Sequence, residues 1–406
     1  MLIFIKLGFR NVFRNKRRSL LTACAIGVSI CALIITDGFM EGMIQNMVKT
    51  ATSGLLGHGQ IHHSSYIKNP EVEFVIKNPK NIESKILNES VIQSWSRRVY
   101  SLGMISSPRN AINTSLVGID LRAEKKTTDI INYLTKGSFL PSENSVVIGR
   151  ELEKKLGVQV GSKVVLTTTE AKTGELRQDV FRVSGVISFG SKKTDSSIVF
   201  VQIGKLQTLL SLGNNYHELV LNLGDPFQID DQNNPFWKRL SFDNNKARSW
   251  ATISPGLGAV VDMSALSISI ISVIMGILMG LIIVNALFMA IFERLFEFGV
   301  VRALGTKNKH LMLTMLTEST TLGALSALFG IVLALIFGGL LAYYGIDYGG
   351  IEFNNVTFRE PIYFIFKTHQ WIVYPLAGVL FTTIVGIYPA IFTIRLNINR
   401  ALKKTL

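Results

Sequence analysis

Cysteine is nearly absent from this 406-residue chain: Cys24 and Cys31 are the two present, and both fall in one apolar run near the N-terminus. Seven helical residues put their Cα atoms roughly 10 Å apart, beyond disulfide reach. The long segment after that run has no cysteine at all, so an oxidising compartment would leave no signature in it. Catalytic signatures are missing too. There is no His-Glu-x-x-His pair and no Gly-x-Ser-x-Gly elbow. No P-loop occurs either, because Gly299 and Gly305 are wrongly spaced and Thr306 precedes Lys307. His58, His62 and His63 cluster without a cysteine or a third ligand at a useful spacing, which favours a strand with exposed histidines at a domain edge over a metal site. Catalytic residues and metal ligands are therefore not expected, and this chain is expected to bind no cofactor. If ATP and Mg drive it, they sit on another polypeptide.

Acidic residues are scarce where basic ones concentrate. Residues 1–19 carry Lys6, Arg10, Arg14, Lys16, Arg17 and Arg18 with no acid, and residues 395–406 carry Arg395, Arg400, Lys403 and Lys404 with none. Residues 293–310 add Arg294, Arg302, Lys307 and Lys309 against Glu293 and Glu297, so about +12 of the formal +14 lies in these three short segments.

What the chain has in abundance is apolar length. Hydrophobic residues make up 48% of it and the mean hydropathy is positive. Four runs, residues 20–40, 265–292, 311–341 and 371–394, are each long enough for a hydrocarbon core of about 30 Å, which needs about 20 helical residues. The expected fold is a membrane protein: four transmembrane α-helices with a large α+β extracytoplasmic domain, residues 41–264, inserted between helices 1 and 2. Four spans put both termini on one side, and the positive-inside rule assigns that side to the cytoplasm. The basic charge then reflects topology and attraction to membrane lipids, with no nucleic-acid partner.

Residues 1–19 place Leu2, Ile3, Ile5, Phe9, Val12 and Phe13 among basic residues, the pattern of an amphipathic helix lying at the membrane interface. The segment also resembles a signal peptide, and Leu21-Thr-Ala-Cys24 matches a lipoprotein cleavage box. That box lies at the start of the apolar run rather than after it, and no Ala-x-Ala site follows, so an uncleaved anchor is expected. Residues 265–292 would reach roughly 42 Å as a helix, and span one continued to about residue 50 would be similar. The excess length suits a stalk into the external domain, and helix tilt also absorbs it. Gly276, Gly280, Gly323, Ala324, Ala327, Gly330, Ala334, Gly338 and Gly339 permit close helix approach, within one chain or across a dimer. Asn285 and Glu318 are polar within or near spans and should face protein or the interface.

In the external domain, strands are expected at residues 59–63, 114–118, 146–148, 163–169, 179–189, 197–201 and 217–223, and helices at 82–88, 128–136, 150–156 and 203–212. Residues 146–201 read as an inner β-rich subdomain. A loop, residues 342–370, joins spans three and four outside.

Residues 293–310 are the most informative segment. Phe296, Phe298, Val300, Val301 and Leu304 offer an apolar anchor, and Glu293, Arg294, Glu297 and Arg302 a polar rim suited to a protein partner. The same charges could instead pair locally on a solvated helix. Gly299 and Gly305 would permit bends at its two ends.

The sequence Glu293-Arg294-Leu-Phe-Glu297-Phe-Gly299-Val-Val-Arg302-Ala-Leu-Gly305 resembles the signature after the second span in ABC transporter permeases of the superfamily that includes the lipoprotein-releasing permeases, the MacB exporters and the FtsX proteins. The similarity runs over the whole chain, to Tyr388-Pro-Ala390 and Arg395-Leu-Asn-Ile-Asn-Arg-Ala-Leu402, where relatives commonly carry proline in place of Ile398. Residues 147–186 are similar to the lipoprotein-releasing type in particular. This resemblance implies that residues 293–310 form a coupling helix docking on a separate cytoplasmic ABC ATPase that holds ATP and Mg. It also implies a second permease copy or sister permease, and mechanical transmission along spans one and two. In the lipoprotein-releasing type, acylated cargo enters between stalk helices from the outer leaflet of the inner membrane and passes to a periplasmic carrier. Phe39, Met40, Met43, Met47, Met263, Leu266 and Ile270 would line such an entrance, and are equally readable as ordinary stalk contacts. Two other readings remain: a MacB-like efflux permease working with an outer-membrane channel, disfavoured because no ATPase is fused to the chain, and an FtsX-like regulator of a cell-wall hydrolase, disfavoured by the large external domain.

Overall fold

The computed structural model describes residues 2–349, 352, 353, 356, 357 and 360–395 and divides into two compact units. The first comprises Met1–Ile44, Asp262–Asp347 and Ile362–Leu406; the second comprises Gln45–Val261 and Tyr348–Pro361. The tail with Ile398, Arg400, Lys403 and Lys404 lies outside the described residues.

The first unit is helical: α1 (Leu2–Arg14), α2 (Lys16–Ala51, whose last turns belong to the second unit), α3 (Pro255–Glu293), α4 (Leu295–Ala303), α5 (Asn308–Tyr344), α6 (Thr368–Val385) and α7 (Ile387–Arg395). Four of its stretches, beginning at Lys16, Pro255, Asn308 and Thr368, are helices long and apolar enough to cross a membrane. A single residue, Asn15, separates α1 from α2, and the elbow is closed by the Ser19 hydroxyl donating to the Val12 carbonyl at 2.6 Å. The core interleaves Ile26, Ile30 and Ile34 of α2, Met279, Ile283 and Leu287 of α3, and Leu322, Ala327 and Ala334 of α5. Helices α2 and α5 approach closely because Gly27 faces Gly330: a Cβ on Gly330 would lie 2.7 Å from the Gly27 carbonyl oxygen. Gly323 likewise meets Thr382, and Gly338 meets Phe364, so these small residues serve packing within the chain, whereas Gly339 faces open space. Glu41 pairs with Lys367 at 2.6 Å, and Asp37 with His369 at 3.1 Å, tying α2 to the start of α6.

The fourth span, expected as one helix over 371–394, is broken at Gly386. Pro389 supplies the reason: it has no N–H to donate to the Val385 carbonyl, and its ring crowds that oxygen.

The second unit is built on one ten-stranded sheet: β1 (Gly59–His63), β2 (Ser94–Ser106), β3 (Ala111–Ile119), β4 (Leu134–Gly137), β5 (Ser145–Gly149), β6 (Lys163–Thr169), β7 (Leu176–Ile187), β8 (Ile198–Gln202), β9 (Glu218–Asn222) and β10 (Asn245–Ser249). Strand β2 pairs with β3, β6 and β9, and the pairings β2–β3–β8–β5–β7–β6 return to β2, so six strands close a ring. Three of the remaining strands continue the sheet from β2 through β9 and β1 to β10, and β4 pairs with β7. The core includes Val99, Leu116, Val146, Leu166, Phe181, Val199 and Leu221 from strands of both parts, with Trp237 from the short helix Pro235–Arg239.

Three expectations are corrected. Residues 146–201 are not a separate subdomain, because their strands need β2 and β3 to close. Residues 128–136 are not a helix but a short 3-10 turn, Ile130–Tyr133, leading into β4. And β1 is no edge: it lies between β9 and β10, with His62 and His63 buried.

Candidate functional site

The residues of 293–310 fold as a helix held between two bends. The first bend falls at Arg294, where α3 ends, and not at Gly299, which is buried inside α4. The second falls at Gly305, whose φ of +86° is strained for any residue with a Cβ.

Most of the charge expected on an outward rim is turned inward to other helices of the same unit. Arg14 of α1 grips Glu297 with two donors, at 2.7 and 3.3 Å. Arg18 of α2 pairs with Glu293 at 2.5 Å and approaches Glu318 of α5 at 3.8 Å. Arg294 reaches Glu297 at 3.1 Å and Glu318 at 3.3 Å. Three arginines and three glutamates thus join α1, α2, the end of α3, α4 and α5. The Arg14 hydrogen bond holds the Glu297 carboxyl below the usual carboxylate range against the opposing effect of burial, with Arg294 adding to it. Glu318 is buried at 1% exposure, and its two arginine partners explain how a carboxylate is held there. Sequence spacing pointed to the Arg294–Glu297 pair; nothing in it signals the arginines of α1 and α2, nearly 300 residues away.

The apolar face is narrower than expected. Phe298 is buried against Ile291, Leu311, Met315 and Ala390, and anchors α4 to its own unit. Phe296 and Leu304 stay 49% and 81% exposed, and Val300 is half-buried between them. The spacing i, i+4, i+8 sets these three on one face, the geometry of a helix that lies in a partner's groove.

The entrance candidates divide. Met263, Leu266 and Ile270 are exposed on α3, and Phe39, Met40 and Met43 are half-buried on α2. Met47 has no accessible surface and cannot line an opening. Asn285 is exposed on α3 with no hydrogen-bond partner among the described residues, so no side chain of its own chain satisfies it.

The second unit holds a buried ionic cluster. Arg98 and Glu124, both fully buried, pair at 2.5 Å, and Glu218 completes the group at 3.3 Å from Arg98 and 2.9 Å from His62. Ser96 and Thr128 donate to Glu124 at 2.7 and 2.6 Å, and Arg98 also donates to the Leu55 carbonyl. Burial alone would lower the Arg98 pKa, but Glu124, Tyr100 and Glu218 outweigh it and hold it well above the ordinary value. Burial likewise opposes ionisation of Glu124, and Arg98 with the hydroxyl donors reverses that, so its pKa is lowered. His58 is pushed down to about 4 by burial, and its Nδ1 accepts the Leu223 N–H at 3.0 Å. Among the described residues no group of three metal-ligating side chains is found, so this cluster reads as structural.

Two families of known proteins match the chain. Residues 269–398 match the family described as FtsX-like permease C-terminal, and residues 19–232 match the one described as MacB-like periplasmic core domain, which spans more than half the chain. The chain belongs to this MacB/FtsX permease family. Its four apolar helices, with the β-rich domain inserted after the first, have the family's layout, and it is an ABC transporter permease subunit of the inner membrane. The lipoprotein-releasing system transmembrane protein LolC of Neisseria meningitidis is 22% identical over 83% of this chain and 81% of its own length. LolC of Xylella fastidiosa is 23% identical over 70% of this chain and 72% of its own. Among solved structures, the periplasmic region of MacB from Actinobacillus actinomycetemcomitans aligns over 49% of this chain and 92% of its own at 15% identity with a TM-score of 0.34, too distant to add to the assignment.

Proposed function

We propose that this permease subunit extracts lipoproteins from the outer leaflet of the inner membrane and hands them to a periplasmic carrier. In this reading both termini and α4 face the cytoplasm, a separate ABC ATPase holds the ATP and Mg, and a second permease chain completes the assembly. The positive-inside rule supports the orientation, and the LolC relatives support the cargo. The observation that carries the mechanism is α4, with its bare stripe of Phe296, Val300 and Leu304, its Arg14–Glu297 tie to α1, and the Arg18–Glu293 tie of α2 to the end of α3 that precedes it. An ATPase that pulls on the stripe pulls through those ties on α2 and α3. Both helices are far longer than a bilayer is thick: α2 has 36 residues and α3 has 39, about 54 and 58 Å.

Phe296→Ser with Leu304→Ser removes two exposed anchors without touching the core. If each contributes as an interface hot spot does, about 2 kcal/mol, ATPase retention on the purified permease should fall by well over tenfold. Full retention and unchanged ATPase stimulation in that variant would refute docking through α4. For the cargo, depletion of the protein should leave triacylated lipoproteins in the inner membrane, detected by fractionation and labelling. Normal sorting under depletion would remove lipoprotein release and favour efflux.

A further inference from the structure

A cavity of about 420 Å³ opens on the first unit at the elbow between α1 and α2, within the size range of small-ligand pockets. Its walls come from Phe13 of α1, Leu20 and Ala23 of α2, and Leu325, Leu328 and Val332 of α5, and they are almost wholly apolar. The exceptions are Ser19, Cys24 and one charged residue, Lys16. Its ammonium is exposed and forms no ion pair among the described residues, while Arg14 and Arg18 on either side of it are neutralised by Glu297, Glu293 and Glu318. Arg17 beside it is also exposed and unpaired among the described residues, but of the two only Lys16 lines the groove, so Lys16 is the cation set above it. From Lys16 to Cys24, the last α2 residue lining it, the groove runs roughly 12 Å along the helix.

We propose that this groove binds a phospholipid with an anionic headgroup, drawn from the leaflet that bathes the α1–α2 elbow. Lys16 holds the headgroup phosphate, and one acyl chain lies between α2 and α5 against Ala23 and Leu328. A soluble ligand fits poorly, because apart from Lys16 the walls offer hydrocarbon, the Cys24 thiol and a Ser19 hydroxyl whose proton is already given to the Val12 carbonyl. A zwitterionic lipid would fill the groove equally well but gain less from Lys16. The lipid would sit beside Arg14, which ties α1 to α4, and Arg18, which ties α2 to the end of α3, so its occupancy would brace that elbow. The site does not depend on the cargo or the ATPase.

The full chain, reconstituted in phosphatidylcholine vesicles with a minor fraction of phosphatidylglycerol bearing a photoreactive acyl chain, provides the test, with adducts mapped by peptide mass spectrometry. Adducts are expected on the α5 segment from Leu325 to Val332. They should exceed those from the same probe on a phosphatidylcholine headgroup by about fivefold, the ratio that corresponds to the ~1 kcal/mol of one basic side chain near an anionic lipid. Lys16→Gln, at an exposed position that leaves the packing intact, should abolish the headgroup preference but keep the adducts. Leu328→Trp, also exposed, should fill the groove and remove adducts from both probes. Equal labelling by the two headgroups in the unmodified chain, a preference that survives Lys16→Gln, or adducts that survive Leu328→Trp would each overturn the site.

Discussion

At the scale of single residues, the second unit depends on charges that no solvent reaches. Arg98 lies on β2 with Glu124 and Glu218 around it, and the guanidinium with the Ser96 and Thr128 hydroxyls holds the Glu124 carboxyl ionised. Arg98→Met fits the volume but strands Glu124, and breaking a buried pair from one side costs about 3–5 kcal/mol. Denaturation of the full chain, followed through the buried Trp237 and Trp250, should show that loss, and Arg98→Met with Glu124→Leu should recover much of it. A double variant no more stable than the single one would show that the network, not the stranded charge, carries the cost. His58 adds a pH dependence of defined sign. Unfolded, it takes a proton near pH 6.5; folded, only near 4. Between those values the unfolded state binds more protons, so stability falls as pH drops through the window and levels off below it. His58→Gln should reduce the slope, measured as the thermal midpoint across that range, while His63 and His217, whose pKa values burial also lowers, keep their own contributions. Glu124, with its lowered pKa, contributes its own loss only at more acid pH. Sequence pattern found β1 to the residue, yet gave its histidines the wrong surroundings, because the partner that buries His62 is Glu218, brought opposite it by a strand more than 150 residues later.

At the scale of elements, α4 and the helix crossings matter most. Periodicity marks each long helix, since an apolar run of about 20 residues has few other structures open to it. The same signal fails for β2, a 13-residue strand at the centre of the sheet: Ser94-Trp-Ser-Arg-Arg-Val-Tyr-Ser-Leu-Gly-Met-Ile-Ser106 has two adjacent arginines and no clean alternation. Three strands pair with it, so tertiary pairing overrides its weak local preference. Small-residue spacing located the tight crossings but could not rank them. Gly330→Val should drive a side chain into the Gly27 backbone and destabilise the detergent-solubilised protein by about 1–3 kcal/mol, whereas Gly339→Ala should leave it unchanged. Equal thermal midpoints for the two variants would show that the α2–α5 crossing is not the close contact that the geometry describes. Of the candidate coupling site, the helix and its anchor residues were legible, because both are local. The arginines that hold it were not, because they come from the other end of the chain.

At the scale of the molecule, the Asn285 amide on α3 has no hydrogen-bond partner among the described residues. Asn285 is exposed, in line with Leu278, Leu281, Met289 and Phe292, at the spacing of one helix face. Among lipid tails an asparagine amide has no partner, and the cost of leaving it so favours a second transmembrane chain against this face. Hydrogen bonds between such helices contribute about 0.6 kcal/mol on average, so the amide fixes the position and register of a pairing that packing must supply. With Cys24 and Cys31 replaced by alanine, Asn285→Cys should cross-link on oxidation in native membranes. With copper phenanthroline as oxidant, the introduced thiols of two copies join as a homodimer if two copies pair, and a mixed species forms if a sister permease given a cysteine at its matching helix position occupies the face. Ile283→Cys, buried within its own unit, should give neither. No adduct with any permease chain from Asn285→Cys, in membranes where the ATPase still co-purifies, would mean that α3 meets lipid along this face and that the second chain must be sought on another helix.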